Sequence, residues 1–188
     1  MIKTTQKKPR KRSASQPSCP WLKVSRTGTS LNVEDFVTFR ITRLSNALRT
    51  NLTKRYLADF DLSLPEWRLL ALTARFAPLR FSEVTSRSSM DKGQVSRTLR
   101  VMEKRGLTKL KTIRQRGSRG TEALAAPVLV SITAKGRALY KAVLPVARKR
   151  QAELLLTLSE TERRALYSTL DKLFGTITGG ATSGYDTE

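Results

Sequence analysis

The sequence has no histidine and a single cysteine, Cys19, among its 188 residues. Without histidine, neither a Ser-His-Asp triad nor a Cys-His pair can be assembled, and one cysteine cannot form an intrachain disulfide. A zinc site built from cysteine and histidine is excluded for the same reason. We therefore expect no catalytic residues, no metal and no cofactor, and a protein that is not an enzyme. Chemistry based on carboxylates or lysine stays open, but no motif indicates it.

Long apolar runs are also missing from the chain. No stretch reaches the roughly 18 consecutive apolar residues that a membrane-spanning helix requires. The basic stretches lack the Trp- and Phe-rich faces of helices that lie on a membrane surface. The sequence therefore predicts no membrane partner, and its low cysteine content fits a reducing cytoplasm.

Acidic residues are scarce relative to basic ones. Lys and Arg number 36 against 15 Asp and Glu, which gives a net charge of +21. Residues 1–30 contain eight basic residues and no acidic residue, and residues 92–119 contain ten basic residues and one acidic residue. A charge this large and this localised indicates a surface for an anionic partner, nucleic acid first. The alternative is a charge that only keeps the protein soluble, for which a smaller charge suffices.

Proline, glycine and small polar residues divide the rest of the chain into helices. Apolar residues recur at steps of three and four within residues 31–62, which predicts a first helix. Pro65 suits the first turn of a second helix, with Ser63 or Leu64 before it as the cap. Residues 81–88 have a helical period long enough for two turns.

A strongly basic helix follows. Asp91 is a good N-cap, and Gly106 lies where a glycine commonly ends a helix. Apolar residues at steps of four and three (Val95, Leu99 and Met102) mark a buried face. Helices in this order, the last one opened by small polar residues, predict a helix-turn-helix.

Two strand-like segments come after this helix. Residues 107–114 alternate imperfectly between apolar and polar or basic side chains, and VLVSI at residues 128–132 forms a second short strand. The connection between them contains Gly117 and Gly120. These features predict a β-hairpin with a long tip, which is the wing of a winged helix.

The C-terminal part of the sequence predicts two further helices. Thr133 can cap the first, which contains Pro145 and is therefore expected to be kinked. Ser159 and Glu162 form a capping box before the second. The predicted fold class is mainly α with a small β-hairpin. Its segments are a disordered basic arm (1–30), a first helix (31–62), a winged helix-turn-helix domain (63–133), two C-terminal helices (134–174) and a flexible tail (175–188).

The N-terminal end of the basic helix is predicted to read DNA. Gln94 can pair bidentately with adenine, Arg97 can pair with guanine or hold a phosphate, and Gly93 permits a close approach to the groove. The alternative is a solvated basic face. The predicted DNA-binding residues of this helix are Lys92, Gly93, Gln94, Ser96, Arg97 and Arg100.

The wing supplies the second set of predicted DNA contacts. Lys109 and Lys111 are placed to hold phosphate from its base. Arg114, Arg116 and Arg119 suit a narrow, strongly negative minor groove. The alternative for these three arginines is a basic loop tip without a binding role.

The order of elements and three motifs resemble the MarR family of bacterial transcription regulators. The motifs are LSLPEWRLLALTARF, SEVTSRSSMDKGQVSRTLRVMEKRGL and VLVSITAKGRALY, and the resemblance covers about residues 31–174. It implies an obligate homodimer in which residues 31–62 and 134–174 are dimerisation helices. It also implies a cytoplasmic, nucleoid-associated protein whose recognition helices enter successive major grooves of a pseudo-palindromic operator, usually to repress transcription.

One position departs from the family pattern. The wing of the family usually carries an Asp-x-Arg or Asp-Arg-Arg sequence shortly before the second strand, whereas this chain has Leu124, Ala125 and Ala126. A nonspecific architectural DNA-binding protein with a winged helix and a basic arm is therefore the alternative to a sequence-specific regulator.

The resemblance further implies a small aromatic carboxylate or phenolic effector. Arg40 borders the apolar stripe of the first helix and, with Trp67 of the next helix, could meet such a ligand. The alternative is an arginine whose stem packs while its head reaches solvent, and a tryptophan that only packs. Cys19 could sense oxidation, but its place in the predicted arm implies no pocket around it.

Overall fold

The computed structural model describes residues 19–113 and 127–180. The chain divides into two compact units, with the boundary between Asn46 and Ala47. The α-helices of the described residues are α1 (Val37–Ala47), α2 (Lys54–Ala58), α3 (Leu64–Phe76), α4 (Phe81–Ser88), α5 (Lys92–Lys104), α6 (Ala134–Leu155) and α7 (Glu160–Thr178). The strands of the described residues are β1 (Leu79–Arg80), β2 (Thr108–Thr112) and β3 (Val128–Ile132). The predicted fold class is confirmed, since a mainly helical chain carries a small antiparallel sheet.

The first unit contains ordered structure ahead of α1. A 3₁₀ turn spans Pro20–Lys23 and a second spans Val33–Asp35. The indole N–H of Trp21 donates to the Asp35 carbonyl oxygen at 2.6 Å. Residues 19–30 of the predicted arm therefore contain local turns, which leave no apolar period in the sequence. Residues 1–18 lie outside the described residues.

The apolar side chains of α1 and of the turn before it are exposed. They are Val33, Phe36, Val37, Phe39, Ile41 and Leu44. Apolar groups on this scale gain free energy when a partner surface removes them from water.

The second unit opens with an irregular helix. Residues Leu48–Thr53 form a π-helical segment that leads into α2. The predicted single helix across residues 31–62 is thus a 3₁₀ turn followed by three consecutive helical pieces. A widened turn shifts the helical phase without ending the hydrogen-bonded backbone, so the apolar period alone does not reveal it.

The start of α3 follows the predicted capping pattern. Ser63 is the N-cap, Pro65 lies in the first turn, and the Ser63 amide N–H donates to Glu66 Oε2 at 2.9 Å. This reciprocal pairing satisfies backbone donors that a helix start leaves free. The side chains of Leu69 and Leu70 are fully buried and place α3 at the centre of the core.

The strands form one antiparallel sheet in the order β1-β3-β2. The predicted hairpin of β2 and β3 is confirmed, with Leu110 opposite Val130. Strand β1 was not predicted, because two residues are too few to show an alternating period. It pairs Leu79 with Val130 and closes the free edge of β3.

The end of α5, the start of β2 and the start of α6 meet at one junction. Gly106 ends α5 with a φ of 72°, as predicted, and Thr133 caps α6. The Thr133 hydroxyl donates to the Gly106 carbonyl oxygen at 2.7 Å, and its amide N–H donates to the Leu107 carbonyl oxygen at 3.1 Å. Gly136 is buried against that same Leu107 carbonyl.

The last two helices match the predicted capping signals. Pro145 lies inside α6, and Ser159 caps α7 through Glu162. The predicted end of the last helix at Phe174 is wrong by four residues, because α7 continues to Thr178 and ends at left-handed Gly179. None of the residues of α7 is buried, and its exposed apolar side chains are Leu166, Tyr167, Leu170, Phe174 and Ile177.

The close contact at Gly136 generates a stability prediction. A Cβ at this position would overlap the Leu107 carbonyl oxygen and would lie 3.0 Å from Ile132 Cγ1. We expect Gly136→Ala to lower the free energy of unfolding by roughly 1–3 kcal/mol, because backbone must move to admit the methyl group. Urea unfolding measures this change.

Gly175 provides the matched control. It lies inside α7, and nothing is within 4 Å of the place that its Cβ would occupy. Gly175→Ala is expected to raise the stability by roughly 0.5–1 kcal/mol through the better helix propensity of alanine. Equal effects of the two substitutions would contradict the steric account of Gly136.

Candidate nucleic-acid interface

Helix α5 begins at a sharply defined turn. Ser89 adopts a left-handed conformation with φ 52°, which reverses the chain between α4 and α5. Asp91 then caps α5 by accepting the Gln94 amide N–H at 2.7 Å. The predicted N-cap is confirmed, and the start of α5 is fixed by a local hydrogen bond.

Helix α5 has a buried apolar face and a mainly polar exposed face, with Val101 as its one exposed large apolar side chain. Val95, Leu99 and Met102 are buried, together with Thr98, so the apolar stripe anchors the helix to the core. The opposite face is polar and carries most of the residues predicted to bind DNA. Of these, Lys92, Gly93, Arg97 and Arg100 are exposed, and Gln94 and Ser96 are half-buried. A helix attached by one face and basic on the other can enter a major groove without disturbing the core.

Gly93 and Arg97 are neighbours on the exposed face. A Cβ at Gly93 would lie 3.2 Å from Arg97 Nη1 and 3.2 Å from Asp91 Oδ1. The guanidinium of Arg97 therefore lies over the glycine at the start of the helix. Gly93 thus leaves room for the Arg97 guanidinium at the N-terminal end of α5. This is the end of the helix that the sequence predicts to face base edges.

The C-terminal end of α5 is held by a partly buried ion pair. Arg105 Nη1 lies 2.6 Å from Glu66 Oε1, and its Nη2 donates to the Asp61 carbonyl oxygen at 2.7 Å. Nη2 also pairs with Asp61 Oδ2 at 3.0 Å. Arg105 thus joins the end of α5 to the turn before α3, so its guanidinium serves structure and not an external ligand.

Glu66 has a lowered pKa despite its burial. Burial of the carboxyl raises the pKa, but the hydrogen bonds from the Ser63 hydroxyl and amide and the ion pair with Arg105 together outweigh it. Glu66 is therefore charged at neutral pH and takes part in both the cap of α3 and the anchor of α5. Sequence reasoning identified Ser63 as a cap but missed Arg105, because a pair separated by 39 residues leaves no periodic signal.

The two lysines predicted to hold phosphate lie at the base of the wing. Lys109 and Lys111 on β2 are exposed. Glu103 of α5 is exposed as well, and its Oε1 accepts the Leu110 amide N–H at 2.9 Å. The predicted wing residues Arg114, Arg116 and Arg119 lie outside the described residues.

A cavity of about 390 Å³ lies beside α3 in the second unit. Trp67 and Tyr140 stack in its wall with ring centroids 5.8 Å apart. Ser88, the last residue of α4, and Ser89, the first residue after it, contribute to the lining. The remaining lining residues are Arg68, Ala71, Leu72, Arg75 and Phe76. The cavity thus combines aromatic surfaces with two guanidinium groups.

The predicted effector residue Arg40 lies in the first unit and Trp67 in the second. Within the first unit, the Arg40 guanidinium lies 5.5 Å from the centroid of the Trp21 ring, a cation–π contact. Cys19 is a free, exposed thiol. Sequence reasoning did not identify Arg68, Arg75 or Tyr140, because their common wall forms only when α3 and α6 pack together.

Two further findings concern the described residues alone. They contain no group of three or more His, Cys, Asp or Glu side chains arranged to hold a metal ion. None of their helices is both long enough and apolar enough to cross a membrane.

Comparison with known proteins confirms the resemblance noted in the sequence. Residues 60–111, which include α3, α4, α5 and most of β2, match the model of the MarR family. A comparison with curated proteins finds no match.

Solved structures of MarR family transcription regulators have a similar fold. A MarR/EmrR family regulator from Acinetobacter sp. ADP1 is 22% identical, with a TM-score of 0.66 over 79% of this chain and 99% of that chain. The S. aureus MepR–DNA complex is 17% identical, with a TM-score of 0.64 over 75% and 98%. A MarR family protein of Mycobacterium tuberculosis in complex with p-aminosalicylic acid is 23% identical, with a TM-score of 0.55 over 73% and 98%. At these identities the likeness establishes a shared winged helix-turn-helix fold.

The Glu66–Arg105 pair generates a prediction about pH. Because the pKa of Glu66 is lower in the folded chain than the ordinary value of 4.5, its stabilising effect is complete well above that pH and is lost as the pH falls below it. We expect Glu66→Gln to lower the free energy of unfolding by roughly 1–3 kcal/mol at pH 7, because Arg105 loses its charged partner. The difference from the parent protein should shrink between about pH 5 and pH 3.

Thermal unfolding across this pH range measures the effect. Asp59→Asn is the matched control, because Asp59 is exposed and forms no ion pair with another described residue. A gap between Glu66→Gln and the parent protein that stays constant down to pH 3 would rule out the carboxylate as its cause.

Proposed function

We propose that this chain is a sequence-specific double-stranded DNA-binding transcription regulator of the MarR type, acting as a homodimeric repressor on a pseudo-palindromic operator. The observation that carries the proposal is the two-faced α5. One face is anchored by Val95, Leu99 and Met102, and the other presents exposed basic side chains and the half-buried amide of Gln94. The DNA-bound MepR structure has a similar fold and supports this assignment.

In the proposed complex the residues of α5 have different roles. Gln94 and Arg97, near the start of the helix, contact base edges, for which a bidentate side chain gives discrimination. Lys92, Ser96 and Arg100 contact phosphates, which position the helix and carry no sequence information. Gly93 allows the helix start to approach the groove closely. Lys109 and Lys111 hold phosphate from the wing, and Arg114, Arg116 and Arg119 reach the minor groove.

The homodimer is supported by apolar surfaces that remain exposed in the single chain. Helix α1 presents Phe39, Ile41 and Leu44, and α7 presents Leu170 and Phe174. Exposed apolar surface on the helices outside the DNA-reading region is what an interlocking dimer removes from water. A two-fold dimer would place two copies of α5 on successive major grooves.

The second hypothesis is a nonspecific architectural DNA-binding protein. It is favoured by the eight basic residues within residues 1–30 and by Leu124, Ala125 and Ala126 in place of the usual acidic wing pattern. Both hypotheses involve DNA phosphates, so affinity at low salt does not separate them.

Fluorescence anisotropy with the chain's own promoter fragments and a shuffled duplex separates the two hypotheses. We expect promoter binding to stay at least a hundredfold tighter than control binding near physiological salt. Arg97→Gln should cost roughly 1–3 kcal/mol on the promoter fragment and little on the shuffled duplex, because it removes a base contact. Lys109→Gln should weaken both duplexes alike.

Lys141→Gln is the charge-matched control, since Lys141 is exposed on α6 and is not among the residues proposed to contact DNA. Promoter and shuffled duplexes that bind with equal affinity at every salt concentration would favour the architectural protein. A parent protein that binds neither duplex would refute both DNA-binding hypotheses.

We also propose that a small aromatic carboxylate or phenol binds in the cavity beside α3 and releases DNA. The stacked rings of Trp67 and Tyr140 offer an apolar wall, and Arg68 and Arg75 offer charge-assisted hydrogen bonds to a carboxylate. Because Ser88 at the end of α4 and Ser89 at the start of the turn before α5 also line the cavity, a bound ligand would contact the segment that leads into the recognition helix. The complex of the Mycobacterium tuberculosis relative with p-aminosalicylic acid supports this ligand class.

Calorimetric titration with p-aminosalicylate tests the proposed effector. Arg75→Gln should weaken binding about tenfold or more, because a carboxylate loses a charged hydrogen-bond donor. Saturating ligand should also raise the promoter concentration needed for half-binding. Arg40→Gln is measured in parallel. A loss of ligand affinity as large as that of Arg75→Gln would show that Arg40 also takes part in binding. If the parent protein gives no heat of binding with p-aminosalicylate, this compound is rejected as an effector.

A further inference from the structure

The register of the sheet sorts its side chains onto two faces. Leu79, Val130 and Leu110 lie opposite one another across the three strands. Directly opposed residues point to the same side, and Leu79 and Val130 are buried, so this row faces the core. The next row therefore points to solvent.

The solvent row is basic at both edges. Arg80 on β1 and Lys111 on β2 both lie opposite Leu129 of β3. Lys109 is two residues from Lys111 on the same strand and hence on the same face. All three cations are exposed. From standard strand spacing, the Cα atoms of Arg80 and Lys111 are about 10 Å apart.

Two carboxylates lie near these three cations, but each accepts a backbone N–H: Glu83 that of Arg80 and Glu103 that of Leu110. Among the described residues, none of Arg80, Lys109 and Lys111 forms an ion pair. Other basic side chains of this region are engaged with backbone: the Lys135 ammonium donates to the Arg105 carbonyl oxygen, and Arg137 donates to the Ala74 carbonyl oxygen. The outer face of the sheet therefore presents three basic side chains outside any ion pair, whereas Lys135 and Arg137 are hydrogen-bonded to backbone carbonyls.

Arg80 occupies a position where its charge is locally unfavourable. It is the N-cap residue of α4, and its side chain makes no capping hydrogen bond. The Arg80 amide N–H instead donates to Glu83 Oε2 at 2.6 Å. Ser, Thr, Asp or Asn is favoured at an N-cap, and a cation is disfavoured at the positive end of a helix dipole. A residue that breaks a local rule without a local gain is typical of a functional position.

We infer that the outer face of the sheet, through Arg80, Lys111 and Lys109, is a second DNA-backbone binding surface beside the recognition helix, with Arg80 as a phosphate contact. This inference rests on the proposed DNA-binding function. The row is bridged by uncharged Leu129 and Ser131, so no carboxylate of the strands repels a phosphate. The nearest acidic side chain of α4, Glu83, is held by the Arg80 amide.

The deciding variant is Arg80→Ser, which restores a good N-cap and removes one cation. It should raise Tm by roughly 2–4 °C, because the cap gains a hydrogen bond to the first turn of α4. In the same protein, the slope of log affinity against log salt should become shallower by about 1, on promoter and shuffled duplexes alike. A residue with only a structural role would not move stability and the salt slope in opposite directions.

Two further variants complete the test. Arg80→Lys should keep the parent salt slope, because a phosphate contact needs charge and not a planar fork. Arg148→Ser removes the same charge from an exposed position on α6 and should leave the slope unchanged. A parent slope in Arg80→Ser, or an equal decrease in Arg148→Ser, would overturn the second surface while leaving the proposed function intact. A parent protein without affinity for any duplex would overturn both.

Discussion

The contact between the Leu107 carbonyl and Gly136 is the constraint on which the arrangement of the second unit depends. This carbonyl oxygen accepts hydrogen bonds from the amide and the hydroxyl of Thr133, and the backbone of Gly136 packs directly against it. Leu107 lies between the end of α5 and the start of β2, and α6 begins beside it. The directions of α5, of the β2–β3 hairpin and of α6 are therefore not independent. A small residue at position 136 is required for all three to meet.

Most of this junction was visible in the sequence, because its signals are local. Asp91, Gly106, Thr133 and Ser159 act within three or four residues, and the structure confirms each as a cap or a helix end. Caps and left-handed glycines satisfy backbone groups at fixed offsets, so their sequence spacing carries the geometry. The helix-turn-helix and the hairpin follow from these boundaries.

The parts that the sequence did not reveal depend on distant packing or on a subtle change of phase. The pairing of Arg105 with Glu66 joins residues far apart, and β1 exists only because β3 offers it a partner. The π-helical segment Leu48–Thr53 shifts the helical phase without ending the helix, so no break appears in the sequence pattern. The cavity beside Trp67 likewise requires α6 to supply Tyr140. The basic face of α5 could be predicted, because buried apolar residues recur at helical spacing with basic residues between them. The position of the Arg97 guanidinium over Gly93 could not be predicted.

The hydrogen bond between Glu103 and the Leu110 amide has a consequence for the behaviour of the chain in a crowded cell. Strand β2 forms one edge of the sheet, and an edge strand with free N–H groups can recruit a strand from another molecule and begin aggregation. The carboxylate of Glu103 occupies one of those N–H groups, and it is the single acidic residue within the basic stretch 92–119. The lysines on either side add charge that repels a second copy of the same edge. The helix that we propose to read DNA thus also protects the wing against strand exchange.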